Sequence, residues 1–213
     1  IIVKSFEDIL KSLSEKEKNV IERRVWLNWD KETLQNIGNS FSPSITRERV
    51  RQIEAQALMR VRRLMVGNSK YIDMIEDAKT ILKENGGILL EDTLISKLYN
   101  LEKYVFNKQE MKLILVSDFD ISYLKRNRFL NKCFYIDPLF EDFLTNMAIF
   151  IQQYFDTRGE SIHVYEFIDH LKAEFWKKHD HISFLKTNQF FLHYFESVRI
   201  LKMFDVNKLF PSQ

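Results

Sequence analysis

The sequence predicts a mainly α protein, with a small helix-turn-helix unit near the N-terminus and α+β units behind it. Three observations carry that expectation. The 213 residues include only 5 Gly and 3 Pro, where average usage would give about 25 of the two together, so breakers are scarce and connections short. Hydrophobic residues make up 45%, enough for packed cores and too many for a disordered chain. In the first third, apolar positions recur at steps of three and four, the helical period. The shortage of glycine also argues against a Gly-rich phosphate loop or a dinucleotide-binding sheet, which need bare backbone beside the ligand.

The length suits one large domain or two to three small ones. The expected division is 1–66, 67–137 and 138–213. Charge separates the first of these from the rest. The chain has 32 basic and 30 acidic residues, a net of +2, yet residues 11–66 carry 12 bases against 7 acids. Residues 67–213 carry 19 bases against 21 acids. Between residues 44 and 63, Arg47, Arg49, Arg51, Arg60, Arg62 and Arg63 face only Glu48 and Glu54. All six bases are arginine, whose planar fork suits phosphates and guanine edges better than lysine does. A solvated helix face is the plain alternative for such a run.

The first helix opens at Ser14-Glu15-Lys16-Glu17, a capping box in which each side chain satisfies a free amide. Val20, Ile21, Val25 and Leu27 follow near helical spacing, and the segment from Leu27 to Glu32 breaks the pattern. Thr33 caps a second short helix whose inward positions are Leu34, Ile37 and Phe41. Gly38 lies where a missing side chain would let another helix pack closely. Ser42-Pro43-Ser44 is a turn. Thr46 then caps a third helix, with Glu48 at the positive end of its dipole.

This third helix divides into two faces. Val50, Ile53, Ala57 and Val61 point inward, while Arg47, Glu48, Arg51, Gln52 and Ala55 form an outward strip near its start. Such a strip has the groups for reading base edges. Arginine pairs with guanine O6 and N7, glutamine with adenine N6 and N7, and glutamate accepts from cytosine N4.

The stretch Thr33-Leu34-Gln35-Asn36-Ile37-Gly38-Asn39-Ser40-Phe41 and the stretch Ile45-Thr46-Arg47-Glu48-Arg49-Val50-Arg51-Gln52-Ile53-Glu54-Ala55-Gln56-Ala57-Leu58 together resemble region 4 of bacterial primary sigma factors. Leu13-Ser14-Glu15-Lys16-Glu17 looks like the start of that region. The resemblance covers residues from about 11 to 66. It implies a helix-turn-helix whose last helix enters the major groove of a −35 promoter element, with Arg47, Glu48 and Gln52 at the base-reading positions. Thr46, Arg49, Arg51 and the later arginines Arg60, Arg62 and Arg63 would lie against the DNA backbone. It also implies RNA polymerase as a partner, through the flap of its beta subunit. Two departures stand out. The turn through Ser42-Pro43-Ser44-Ile45 is about two residues longer than the family's, and no stretch of the chain resembles sigma region 2, which docks polymerase and melts the strands.

Beyond residue 67 a weak internal duplication is expected. Its first copy has a helix from Ile75 to Glu84 ending at Gly86-Gly87, an apolar step Ile88-Leu89-Leu90, and helices from about Glu91 to Tyr104 and Lys108 to Val116. Strand-like segments Ile121 to Lys125 and Phe129 to Ile136 follow. The second copy runs from Phe150 through a turn at Arg158-Gly159, a step at Ser161-Ile162-His163-Val164, a helix holding Phe167 to Trp176, another around Asn188 to Phe195, and an extended stretch Val198 to Phe204. Helix, short strand, helix, helix and hairpin is the order of a winged helix. The expected class is thus a sigma region 4-like helix-turn-helix followed by two winged-helix-like α+β units. The first of these, around Ala78 to Leu89, is similar to the HARE-type winged helix. Lys125, Arg126 and Arg128, at its hairpin tip, are a candidate wing contact to DNA, or simply a charged turn. The aromatic residues, 18 Phe, 8 Tyr and 3 Trp, concentrate in this part, where core packing and a partner groove are the two readings.

Catalytic chemistry is not expected. His170, His179 and His181 match no zinc spacing, and Cys133 is the sole cysteine. Asp118 and Asp120 bracket Phe119 without the further carboxylates of a magnesium site. No metal, cofactor or enzymatic activity is therefore expected. No apolar run approaches the ~20 residues that span a bilayer, and no leader-like segment opens the chain, so the expected location is the cytoplasm beside the nucleoid, with no membrane partner. The expected function is that of a transcription regulator bound to double-stranded DNA. The alternatives are an RNA polymerase-binding adaptor and a DNA-targeting subunit of a restriction or defence system, the latter suggested by the company HARE-type domains keep. Oligomeric state is not legible.

Overall fold

The three helix starts expected from side-chain caps are all built as hydrogen bonds. The computed structural model describes residues 6–26, 32–158 and 162–199. Ahead of helix α2 (Glu15–Ile21), the Ser14 hydroxyl accepts from the Glu17 amide and the Glu17 carboxylate accepts from the Ser14 amide. Thr33 accepts from the Asn36 amide before α3 (Leu34–Asn39). Thr46 accepts from the Arg49 amide before α4 (Arg47–Met65). A short α1 (Phe6–Ser12) precedes them, and α2 runs on into a π-helical turn, Glu22–Trp26. The break expected after Leu27 falls largely on residues 27–31, outside the described residues.

The chain forms two compact units. The first comprises residues 1–77 and 95–119. Val20, Ile37, Val50 and Ile53 form a buried cluster in it, flanked by Leu34, Phe41 and Ile45. Ala57, Val61 and Met65 continue the buried face of α4. From α5 (Ser69–Glu84) this unit takes the buried Tyr71 and Met74, and Tyr71 stacks on Phe106 with centroids 5.0 Å apart. It also takes the end of α6 (Glu91–Tyr99) and all of α7 (Lys108–Ser117), which Asn107 and Glu110 cap reciprocally. Helix α7 packs on α4 and on the π-helical turn.

The second unit comprises residues 78–94 and 120–213. Strands β1 (Ile88–Leu90), β2 (Ile121–Leu124) and β3 (Cys133–Ile136) form one antiparallel sheet in the order β1-β3-β2. Ile88 stands opposite Tyr135, and Ile121 opposite Ile136. Helices α8 (Glu141–Arg158), α9 (Val164–Trp176) and α10 (Asn188–Ser197) complete it. Gly86, at φ +82°, lies where a Cβ would stand 2.5 Å from the Phe190 backbone. This is why the turn before β1 has glycine: α10 packs directly on it.

One hydrophobic cluster includes Ile88, Leu124, Cys133 and Tyr135 together with Phe143, Phe167, Leu171, Phe191 and Tyr194. A single core therefore crosses the boundary expected after residue 137. The aromatic residues pack it. Phe190, Phe191 and Tyr194 are wholly buried, and the Tyr194 hydroxyl donates to the Leu144 carbonyl at 2.6 Å.

The first copy of the expected duplication keeps its element order, except that α5 begins earlier and α6 ends sooner than expected. The second copy differs. Among the described residues it contributes three α-helices, a 3-10 turn at Ser183–Lys186 and no strand. The step expected at Ile162 to Val164 instead leads into α9, where His163 is the N-cap and the apolar side chains feed the shared core. Val198 makes one isolated bridge to Leu130 and the Arg199 amide donates to the Phe129 carbonyl, while residues 200–204 of the extended stretch expected to Phe204 lie outside the described residues, as do Gly159 and Ser161. No helix among the described residues is long and apolar enough to cross a membrane.

Cys133 sits inside the second unit, fully buried. Burial pushes its thiol up to about 12, against a smaller opposing effect from a hydrogen bond with Ser197. At pH 8 the native thiol should hold on the order of a thousandfold less thiolate than a free cysteine. A thiolate-directed reagent should label the native chain correspondingly slowly, with the rate rising through the denaturant transition of this unit. Fast labelling of the native chain would show that the core around β3 is open.

Candidate nucleic-acid interface

The exposed strip of α4 is set by what lies under it and by the turn before it. The Ile45 amide donates to the Gly38 carbonyl at 3.0 Å. A Cβ on Gly38 would stand 2.3 Å from the Ile45 carbonyl oxygen. The tightest approach at Gly38 is thus made by the backbone of the incoming turn, with Val50 Cγ2 of the following helix α4 next, 3.5 Å from the Cβ position. The longer turn through Ser42-Pro43-Ser44 is drawn back onto α3 at this point, and Thr46 starts α4 one residue later.

From there the expected faces separate. Val50, Ile53, Ala57 and Val61 are buried, while Thr46, Arg47, Glu48, Arg49, Arg51, Gln52 and Ala55 are exposed. Four polar side chains of the strip, Glu48, Arg49, Arg51 and Gln52, are bonded to one another. Arg51 donates from Nε and Nη2 to the two Glu48 carboxylate oxygens at 2.9 and 2.7 Å. Gln52 Nε2 donates to Glu48 at 3.3 Å, and Arg49 Nη1 donates to Gln52 Oε1 at 3.2 Å. The Arg51 fork, chiefly through its hydrogen bonds, holds the Glu48 carboxyl below the ordinary glutamate range, and the pairing raises Arg51 in turn. Both groups are therefore ionised at neutral pH. Such bonds lie in water and are individually weak, so a ligand can replace them at little cost.

The later arginines diverge from this strip. Arg60 donates to Glu17 at 3.0 Å and to the Ser12 carbonyl at 3.4 Å, tying α4 to the start of α2. The Arg62 guanidinium lies 3.6 Å from the centroid of the Phe119 ring. Arg63 is exposed, with Nη2 3.5 Å from the Met59 sulfur. Arg60 and Arg62 thus serve contacts within the fold, whereas the arginines of the first two turns face solvent. In the second unit, Arg126 and Arg128 are exposed and Lys125 half-buried, in the loop between β2 and β3.

Two arginines that lock the first unit, Arg23 and Arg24, fall outside the residues singled out by motif. Arg24 Nε lies 3.4 Å from Glu54 Oε2, with both side chains nearly buried. Arg24 also donates to the Glu32 carbonyl at 3.0 Å. Arg23 pairs with the Glu32 carboxylate and donates to the Ser40 hydroxyl at 2.6 Å. A signal exists for Glu54. It follows Val50 by four residues and precedes Ala57 by three, which is an inward position on the helix. Asp120 accepts from Lys79 at 2.9 Å, and Asp118 ends α7 as its C-cap. His170 stacks beside Phe150 and Tyr154. Among the described residues no group of three or more His, Cys, Asp or Glu is placed to hold a metal ion.

Capped helices, a tight turn and a long second helix with one buried and one polar face define a helix-turn-helix of the DNA-binding kind. Residues 9–63 match the family model described as sigma-70, region 4. Over 63 residues the chain is 41% identical to RNA polymerase sigma factor SigA of Bacillus sp, a match covering 29% of this chain and 16% of that protein. The likeness is therefore to one part of a much longer relative. No solved structure matches the chain.

Replacing Gly38 with alanine should push the Ile45 carbonyl away and shift the start of α4. Overpacking of this kind costs about 1–3 kcal/mol. A denaturant melt of Gly38→Ala should show a loss in that range, and an unchanged midpoint would mean that the turn is free to move.

Proposed function

We propose that this protein is a sequence-specific reader of double-stranded DNA that regulates transcription, with α4 lying in the major groove of a promoter-like element. The observation that carries this reading is the exposed strip of Arg47, Glu48 and Gln52 on a helix whose opposite face is buried. In this reading Arg47 pairs with a guanine, Gln52 with an adenine, and Glu48 accepts from a cytosine. Thr46, Arg49 and Arg51 fix the register on phosphates, contacts that position without specifying. The protein acts by binding and not by catalysis, and its place of action is the bacterial chromosome. The segment after α4 runs in the element order of a winged helix, α5, β1, α6, α7, β2, β3, with α7 and the end of α6 in the first unit and the sheet in the second.

A second partner, RNA polymerase, fits the same unit. Region 4 of sigma factors binds both promoter DNA and the polymerase beta flap. On this chain a cleft of about 340 Å³, lined by Glu15, Lys16, Lys18, Asn19, Glu22 and Phe41, is built from other elements than the α4 strip and supports an adaptor role beside DNA reading. Retention of core polymerase by a chain with no sequence preference for DNA would make tethering the main role.

Selection from a randomised duplex, followed by anisotropy on the selected site, tests the principal reading. Arg47→Ala and Gln52→Ala should each cost about 1–3 kcal/mol in affinity and relax preference at one base position. If both variants keep the parent's affinity and preference, α4 is not the reading element.

A further inference from the structure

We propose that the loop joining β2 to β3 in the second unit is a preformed contact for the phosphates of duplex DNA, separate from α4. Between Leu124 and Cys133 the sequence holds four bases, Lys125, Arg126, Arg128 and Lys132, and no acid. That alone describes any charged turn. The structure adds a reason for it to hold one shape. Asn127 Oδ1 accepts from the amides of Phe129 and Leu130 at 2.8 and 2.7 Å, and the Asn127 amide donates to the Leu130 carbonyl at 3.0 Å. The loop closes on itself around this one side chain.

The end of α10 then clamps it. Leu130 and Val198 form a bridge. The amide of Asn131 donates to the Ser197 carbonyl, and the amide of Arg199 to the Phe129 carbonyl, both at 2.8 Å. The Arg199 guanidinium donates to the carbonyls of Asn127 at 2.6 Å and Arg128 at 3.3 Å. Carbonyl oxygens that would repel a phosphate are thereby covered by a fifth positive charge. Lys132 lies at the base of the loop, 4.0 Å from the buried Glu91 carboxylate. Arg126 and Arg128 stand at the tip as exposed residues on either side of Asn127.

This arrangement suits an anionic backbone. Guanidinium groups fork onto phosphate oxygens, and a loop already ordered has little conformational freedom left to lose on binding. An acidic protein surface is the competing ligand. Protein interfaces centre on an apolar patch, and between Leu124 and Cys133 the loop exposes no large hydrophobic side chain, the nearest such residues in sequence being Phe119 and Phe140. The phosphate reading is therefore preferred. It shares its ligand class with the function proposed above but rests on different residues in a different unit.

The test uses the full chain and a fluorescent duplex lacking any selected site, titrated across about 50–200 mM salt. Arg126→Gln combined with Arg128→Gln should weaken binding to every sequence alike and reduce the slope of log affinity against log salt by about 2, near 0.9 for each phosphate that is no longer neutralised. Arg126→Lys with Arg128→Lys should keep the slope, since charge and not shape dominates this term. An unchanged slope in the glutamine variant overturns the proposal, including the case where that variant instead loses an acidic protein partner. Where Gln52→Ala alters binding and the loop variant does not, only the loop proposal fails. A parent chain without DNA affinity at low salt overturns both.

Discussion

Burial of one side of α4 is the constraint on which the first unit depends. Val50, Ile53, Ala57 and Val61 are held against the elements around them, and each large aliphatic side chain contributes roughly 1.5–3 kcal/mol by leaving water. A helix is a rigid cylinder at this length, so anchoring one side sets the rotation of the other. The polar strip therefore faces outward as a consequence of apolar packing elsewhere on the same helix. Gly38 controls the remaining variable, where along its axis the helix begins.

Charge reinforces this packing without adding much to stability. The Arg24–Glu54 pair is nearly buried, and Glu17, itself buried, binds Arg60. Removing such groups from water costs several kcal/mol, and pairing returns about as much. Their value lies in selectivity of arrangement. Glu54 meets Arg24 and Glu17 meets Arg60 in only one placement of α4 against α2, so slipped packings leave a carboxylate buried without its partner. This also explains why the arginines of one helix divide into two groups. Those near its start face solvent, and two of those near its end are engaged by the protein itself.

How much of this is legible in the sequence follows from the range of the interactions. Caps act over three residues, so Ser14, Thr33 and Thr46 announce three helix starts correctly. The α4 faces are legible for the same reason, because steps of three and four are a local geometric property. Strands β1 to β3 follow from short apolar runs next to glycine and charged turns. The illegible parts depend on distant chain. Gly38 visibly needs space, but the identity of its neighbour, the Ile45 carbonyl, requires the path of the turn. The second copy of the duplication resembles the first in apolar pattern, yet its helices have the sheet of the first copy to pack on. Nothing in the local pattern says whose core an apolar segment will join. The ion pair of Arg24 with Glu54, thirty residues apart, is illegible in the same way.

The mutual bonding of Glu48, Arg49, Arg51 and Gln52 has a consequence for discrimination on the proposed reading. Side chains that reach a mismatched base edge ordinarily lose their water and gain nothing, which is the source of rejection. Here two of the three proposed base readers, Glu48 and Gln52, can fall back on their neighbours. The free helix thus begins in a satisfied state, and a wrong base leaves it near that same state. On the proposed reading such a strip would tolerate degenerate sites, with a graded preference among sequences.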